Sequence, residues 1–377
     1  MLIAKLFKKK DKMGFSCGLV GLPNVGKSTI FNALTTAGAQ MANYPFCTIE
    51  PHVGKVAVPD SRLQALATVA GSKEIIPTLM AFTDIAGLIK GASTGEGLGN
   101  QFLANIRETD AIAHVVRCFE DKDVIHVDGN VDPIRDIEVI QTELLLSDIE
   151  TLDKVLHREQ KKARSKDPEA IERSDLIQKI MPQLESGVAA KNLDLEKSER
   201  ELLTDYNLLT DKPVMYLANV AEEDLPSGKN KYVTLVEELA AKENAMVVSL
   251  CGKIEMEIME LESEDRDEYL ASLELSEPGL NHVIRQGYEL LGLMTYFTVG
   301  PKETRAWTVA KDVLAPQAAG VIHTDFERGF IRAETIAFDD YINCNGEKGA
   351  KEKGLLRTEG KDYQVKEGDV MHFLFNV

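Results

Sequence analysis

Two textures of apolar and polar positions alternate along the chain. Short apolar runs bounded by polar or glycine-containing turns recur at residues 17–20, 53–58, 79–83, 111–119, 213–218 and 245–250. Runs of this length without strict alternation predict strands buried on both faces. Helical spacing follows the first of them, where Ile30, Phe31, Ala33 and Leu34 lie on one side of two turns. Strands alternating with helices in this way predict an α/β domain. From about residue 135 to 206 the pattern changes to long, charge-rich helical stretches. Leu145, Ile149, Leu152 and Leu156 recur at heptad-like spacing, and Ile177, Ile180, Met181 and Leu184 supply a returning apolar face that Pro182 kinks or ends. The pattern predicts an antiparallel helical arm, and because strand-like runs resume at Pro213 the arm is an insertion. From about residue 295 onward the segments are short and alternating (306–309, 329–332 and 368–375), which predicts a small separate α+β domain.

The first apolar run leads into Gly21-Leu22-Pro23-Asn24-Val25-Gly26-Lys27-Ser28-Thr29. This fits Gly-x-x-x-x-Gly-Lys-Ser/Thr, and a chain of this length meets that pattern by accident only roughly 1% of the time, given ordinary residue usage. A strand before it and a helix after it supply the context of a phosphate-binding loop. Gly21 and Gly26 let the backbone turn its N–H groups toward phosphate oxygens. Lys27 brings a charge to the β- and γ-phosphates, and the Ser28 hydroxyl is placed to ligand Mg²⁺. Downstream, the run at 79–83 ends in Asp84-Ile85-Ala86-Gly87. A carboxylate at a strand end before a turn glycine suits Asp84 to hold Mg²⁺ through water and the Gly87 N–H to reach the γ-phosphate. The next stretch, 91–99, holds four glycines in nine residues and reads as a lid or as a surface linker. Ras-like enzymes orient the attacking water with a Gln directly after Asp-x-x-Gly, but here that residue is Leu88. Two histidines are candidates to replace it. His114 lies inside an apolar run and reads as a core residue, whereas His126 follows the carboxyl end of that strand, the edge that carries ligands in open α/β sheets. His126 is therefore the catalytic candidate, against a plain surface-loop histidine.

Composition narrows the picture. The 377 residues allow two or three domains, the 44% hydrophobic content is that of soluble globular proteins, and no apolar run approaches the ~18 residues of a membrane helix. Five scattered cysteines without Cys-x-x-Cys spacing favour free thiols in a reducing cytoplasm. A net charge of −18 argues against a nonspecific nucleic-acid binder, although a local basic patch on an acidic body is compatible with it. Such a patch lies at His157-Arg158-Glu159-Gln160-Lys161-Lys162-Ala163-Arg164-Ser165-Lys166, at the tip of the expected arm, as a contact surface or a solvated helix face. Residues 1–12 place their lysines after a short apolar patch, the reverse of a secretory signal. They read as a loose extension, with Met13 an alternative start.

The run at 213–218 ends in Asn219-Val220-Ala221-Glu222. P-loop GTPases carry Asn-Lys-x-Asp there, with the Asp accepting N1–H and N2–H of guanine and the Lys stem lying over the ring. Val220 replaces that Lys and Glu222 sets the carboxylate on a longer stem, which weakens guanine recognition and offers an apolar surface to any purine. With residues 21–29, 43–51, 84–102 and 219–222, and with Pro316-Gln317-Ala318-Ala319-Gly320 and His323-Thr324-Asp325-Phe326, the chain resembles the YchF family of Obg-like ATPases over nearly everything after Met13. The resemblance implies an Obg-type G domain (13–134 and 207–291), a coiled-coil insertion (135–206) and a C-terminal TGS domain of β-grasp type (292–377). It implies ATP preferred over GTP and association with the ribosome, with the large subunit and an RNA contact through the arm or the TGS domain as the expected sides. By position, Asn24, Val25, Gly26, Lys27, Ser28 and Thr29 bind phosphates, Ser28 and Thr48 bind Mg²⁺, and Asn219, Val220 and Glu222 lie at the base. Alternatives are a conventional translation-associated GTPase, a P-loop small-molecule kinase, which would need an arginine-bearing lid, and a binding module that does not turn over.

Overall fold

The computed structural model describes residues 15–40, 52–85, 98–121 and 130–376. The strands are β1 (Ser16–Val20), β2 (Val53–Ala57), β3 (Glu74–Ile76), β4 (Leu79–Asp84), β5 (Ala111–Arg117), β6 (Val214–Asn219) and β7 (Met246–Leu250). They continue with β8 (Leu293–Val299), β9 (Glu303–Ala310), β10 (Phe330–Ile336), β11 (Arg357–Glu359) and β12 (Val370–Phe375). Longer helices are α1 (Lys27–Gln40), α2 (Ser61–Ala70), α3 (Leu98–Glu108), α4 (Pro133–Ala163), α5 (Pro168–Glu185), α6 (Lys231–Glu243), α7 (Gly252–Glu260), α8 (Ser263–Ser272), α9 (Gly279–Leu290) and α10 (Ala315–Ile322). The chain divides into two compact units. One comprises Met1–Ala39, Ile49–Gly54 and Ala81–Val283; the other comprises Gln40–Thr48, Lys55–Met80 and Ile284–Val377.

The first unit is built on a sheet of order β2-β4-β1-β5-β6-β7, in which β4, β1, β5, β6 and β7 pair in parallel. Parallel strands between helices are buried on both faces, so they carry apolar residues almost throughout. All seven residues of β5 are buried. Strand β1 has β4 on one side and β5 on the other, so the direction in which strands are added reverses at β1. The carboxyl end of such a strand is where open α/β sheets leave a ligand crevice.

Between β5 and β6 the chain forms the helices α4 and α5. Each begins with an Asp-Pro pair: Asp132 accepts from Arg135 N at 3.1 Å, and Asp167 accepts from Glu169 N at 3.1 Å. The aspartate caps free N–H groups while proline fits the first helical position. Leu152 of α4 and Ile177, Ile180 and Leu184 of α5 form one buried cluster, with Leu145, Ile149, Leu156 and Met181 packed against it. Pro182 neither kinks this helix in mid-course nor stops it at once. It sits in the last turn, α5 runs on to Glu185, and Ser186 N reaches the Pro182 carbonyl at 3.1 Å. The middle of α4 is held by buried Asp148, whose carboxylate accepts from Leu209 N (2.7 Å), Thr210 N (2.8 Å) and the Thr210 hydroxyl (2.7 Å).

The second unit carries a mixed sheet of order β11-β10-β12-β8-β9-β3. Alternation along its strands feeds a core on each face. Tyr296 of β8 and Val309 of β9 join Ala315, Ala318 and Ala319 of α10 on one side. Phe297 of β8 and Ala306 of β9 join Leu63 and Leu66 of α2 on the other. Residues 61–76, although they lie between β2 and β4 in sequence, thus belong to this unit. Among the described residues no helix is long and apolar enough to cross a membrane.

Candidate functional site

The loop between β1 and α1 is shaped by two left-handed residues, Asn24 (φ 63°) and Gly26 (φ 93°). The Gly26 conformation is open to glycine and strained for a side chain, and space excludes one as well. A Cβ there would stand 2.1 Å from Asn219 Nδ2. Helix α1 starts at once, with Ile30 N donating to the Gly26 carbonyl at 3.0 Å. The free N–H groups of its first turn therefore face the loop, as anion-binding turns require. Asn24 and Ser28 are exposed, Val25 is buried, and Thr29 is half-buried.

Lys27 is only 8% exposed, and a buried ammonium requires a partner. Its Nζ contacts Asp84 Oδ1. Register explains the meeting. Strand β4 lies beside β1 with Leu19 opposite Asp84, and Ile85 N donates to the Leu19 carbonyl at 3.2 Å. The strand-end carboxylate is thereby brought to the mouth of the glycine loop.

Asn219, at the end of β6, is committed to backbone on both sides of its amide. Its Nδ2 donates to the Val25 carbonyl at 2.9 Å, and its Oδ1 accepts from Gly252 N at 3.0 Å. It fastens the phosphate loop to the loop after β7, a role the sequence reading missed because the three segments are distant in sequence. The following residue requires a correction. Val220 was expected to offer an open apolar surface, but it is 1% exposed. Its N–H extends the strand by donating to the Leu250 carbonyl at 2.9 Å, which keeps it in the interior. Glu222 is half exposed and pairs with Lys253 at 3.4 Å. Asp224 turns inward, accepting from Asn230 Nδ2 at 2.7 Å and Ala221 N at 3.3 Å. Lys253 was not singled out from the sequence, and its only signal there is its place after the strand ending in Cys251-Gly252.

His114 lies in β5 against Tyr216, with ring centroids 5.7 Å apart. Burial pushes its imidazole down to about 3, so it is a neutral core histidine, as the apolar run around it suggested. Thr48, Gly87 and His126, with most of the glycine-rich stretch, lie outside the described residues.

A parallel sheet whose reversing strand ends in this loop, with a buried lysine held by a neighbouring strand-end carboxylate, defines a nucleotide-binding domain of the P-loop class. Residues 16–145 match the family described as 50S ribosome-binding GTPase. Residues 293–376 match the C-terminal YchF GTPase family, described as a protein of unknown function (DUF933). The "Ribosome-binding ATPase YchF" of Haemophilus influenzae is 58% identical over 97% of this chain and all of its own length. The protein of the same name in Bacillus subtilis is 52% identical over the same shares. The solved structure of the Schizosaccharomyces pombe YchF GTPase superposes with a TM-score of 0.87 at 38% identity, covering 97% of this chain and 99% of that one. The chain belongs to the YchF family.

Proposed function

We propose that the chain is a magnesium-dependent nucleoside-triphosphate hydrolase that prefers ATP to GTP and works as a switch on the ribosome. The observation that carries the hydrolase reading is the meeting of Lys27 with Asp84 at the mouth of the glycine loop. Each holds the charge that nucleotide and metal would later claim. The triphosphate takes Lys27, and the backbone N–H groups of residues 24–29 take the phosphate oxygens. The donor set fits magnesium, because the exposed Ser28 hydroxyl at the start of α1 and the Asp84 carboxylate at the end of β4 are hard oxygen ligands. The family resemblance adds the Thr48 hydroxyl. Magnesium held there would supply charge neutralisation at the phosphate oxygens. Gly87 N–H would meet the γ-phosphate, and His126 would orient the attacking water that Leu88 cannot. Single-turnover hydrolysis slowed in His126→Ala, with nucleotide affinity intact, supports that role, and normal turnover removes it.

The ATP preference rests on Val220 and Glu222 standing where guanine readers carry Lys and Asp, and on the relatives named ribosome-binding ATPases. The GTP reading has its own support in the descriptions of the matching family and of the fission-yeast structure. Those same names motivate the ribosome as partner, the large subunit in particular, in the cytoplasm. The helices α4 and α5 would serve as a coiled-coil arm. At their tip Arg158 and Lys162 are tied to buried Glu159 at 2.8 and 3.4 Å. Lys161, Arg164 and Lys166 are exposed and are the charges left for an RNA contact. The C-terminal part would be a TGS domain of β-grasp type, the other candidate contact. Titration with ATP and GTP in magnesium, followed by phosphate release with and without ribosomes, tests the proposal. Tighter ATP binding and ribosome-stimulated release are expected. Tighter GTP binding sinks the ATP reading, and no release under either condition sinks the enzyme.

A further inference from the structure

Lys253 follows the residue whose N–H is fixed by Asn219, and Glu222 lies three residues beyond Asn219 on the neighbouring loop. Both loops leave the carboxyl ends of adjacent parallel strands, β6 and β7, and the same asparagine ties them to the phosphate loop. Across this gap Lys253 Nζ meets Glu222 Oε2 at 3.4 Å. The ammonium is steadied from behind by Glu257 Oε1 at 3.9 Å, and Glu257 in turn accepts from the Tyr269 hydroxyl at 2.5 Å. Four side chains from three elements thus form one chain that ends on the carboxylate at the base-reading position. The Glu222 carboxylate and, behind it, that of Glu257 hold the Lys253 ammonium above its ordinary value. Neighbouring Asp224 is engaged with Asn230 and Ala221 and is not a competing acceptor.

We propose that Lys253 is a specificity-determining residue that acts through Glu222. Reading guanine takes both carboxylate oxygens, one for N1–H and one for N2–H. Adenine presents a single exocyclic amino group and no N1 proton. With Lys253 against Oε2, Glu222 keeps one oxygen, Oε1, free of the ammonium. One acceptor suits the adenine amino group and leaves one of the two guanine donors without a partner, which costs affinity when the base is desolvated. The inference rests on the proposal that residues 219–222 face the base, and it explains how a carboxylate can remain there without restoring guanine preference.

The experiment is equilibrium titration of the full chain with ATP, GTP and inosine triphosphate at low salt, in wild type, Lys253→Met, Glu222→Gln and the double variant. Lys253 is exposed, so the methionine variant should fold, and its circular dichroism and melting confirm that separately. Lys253→Met is expected to raise GTP affinity relative to ATP by about two- to fivefold, the scale of an exposed ion pair. Inosine triphosphate, which lacks the 2-amino group, should gain less. In the Glu222→Gln background the lysine substitution should leave the GTP-to-ATP ratio unchanged. An unchanged ratio on replacing Lys253 in the otherwise wild-type chain, or equal weakening of all three nucleotides, overturns the role of Lys253 while leaving ATP preference standing. Wild-type preference for GTP instead overturns the base-side reading itself.

Discussion

Single residues at the phosphate loop act through opposite charges held close together. Lys27 and Asp84 neutralise one another in a site that is largely shielded from water, so substitution of either frees the other. Asp84→Asn should leave magnesium-free nucleotide binding intact or tighter, because Lys27 is released, yet slow magnesium-dependent hydrolysis by about a hundredfold, the usual cost of one preorganised electrostatic contact. Lys27→Ala should lose binding itself. Calorimetric titration with and without magnesium, beside phosphate release, separates the two, and parallel loss of binding in both would refute the division of labour. Gly26, Lys27 and Asp84 were legible in the sequence because their roles are local to a motif. The tether through Asn219 was not, since it depends on β1 and β6 lying either side of β5. Nor was the burial of Val220, which one extra ladder bond to Leu250 decides.

Elements are joined by buried acids that close helix ends and loops. Glu255 of α7 is 2% exposed and accepts from Gly279 N at 2.8 Å and Leu280 N at 3.1 Å at the start of α9. Burial pushes its carboxyl up to about 7, although the two N–H donors act in the opposite direction. An unfolded chain releases this proton near 4.5, so between 4.5 and 7 the folded state binds more protons than the unfolded one. Its contribution to stability therefore falls as pH rises through that window. Glu255→Gln removes the titration. The variant should gain on the wild type by up to about 3 kcal/mol between pH 5 and pH 8, read from urea unfolding at each pH. A gap that does not change with pH would show that the carboxyl is ionised throughout. The apolar spacing of α4 and α5 announced both helices, but these buried polar contacts have no periodic signature and appear only once the chain is folded.

At the scale of the whole molecule, continuity in sequence and membership of a folded unit part company. Residues 61–76 sit between two strands of the nucleotide-binding sheet, yet they supply a helix and an edge strand to the C-terminal unit. Strand β3 runs parallel to β9, with Glu74 opposite Glu303 and Ile76 opposite Arg305. Arg62 joins Glu367 at 2.5 Å, and the Ser72 hydroxyl donates to the Gly300 carbonyl at 2.7 Å. Leu66 is fully buried and packs in the same cluster as Phe297 and Ala306. Trp307, the one tryptophan in the chain, follows Ala306 on β9 and packs against the cluster on the opposite face of the sheet. It is also fixed by its indole N–H donating to Thr298 at 2.9 Å. Its fluorescence therefore reports on the unit that Leu66 helps to build. Leu66→Ala should leave a cavity costing about 2–5 kcal/mol, and the Trp307 transition in urea should move to lower denaturant accordingly. The surface substitution Gln64→Ala, two residues away on the exposed side of α2, should leave that transition in place. If Leu66→Ala does not move the Trp307 transition, residues 61–70 do not contribute to the C-terminal core, and that unit would have to draw its stability from residues 284–377 alone.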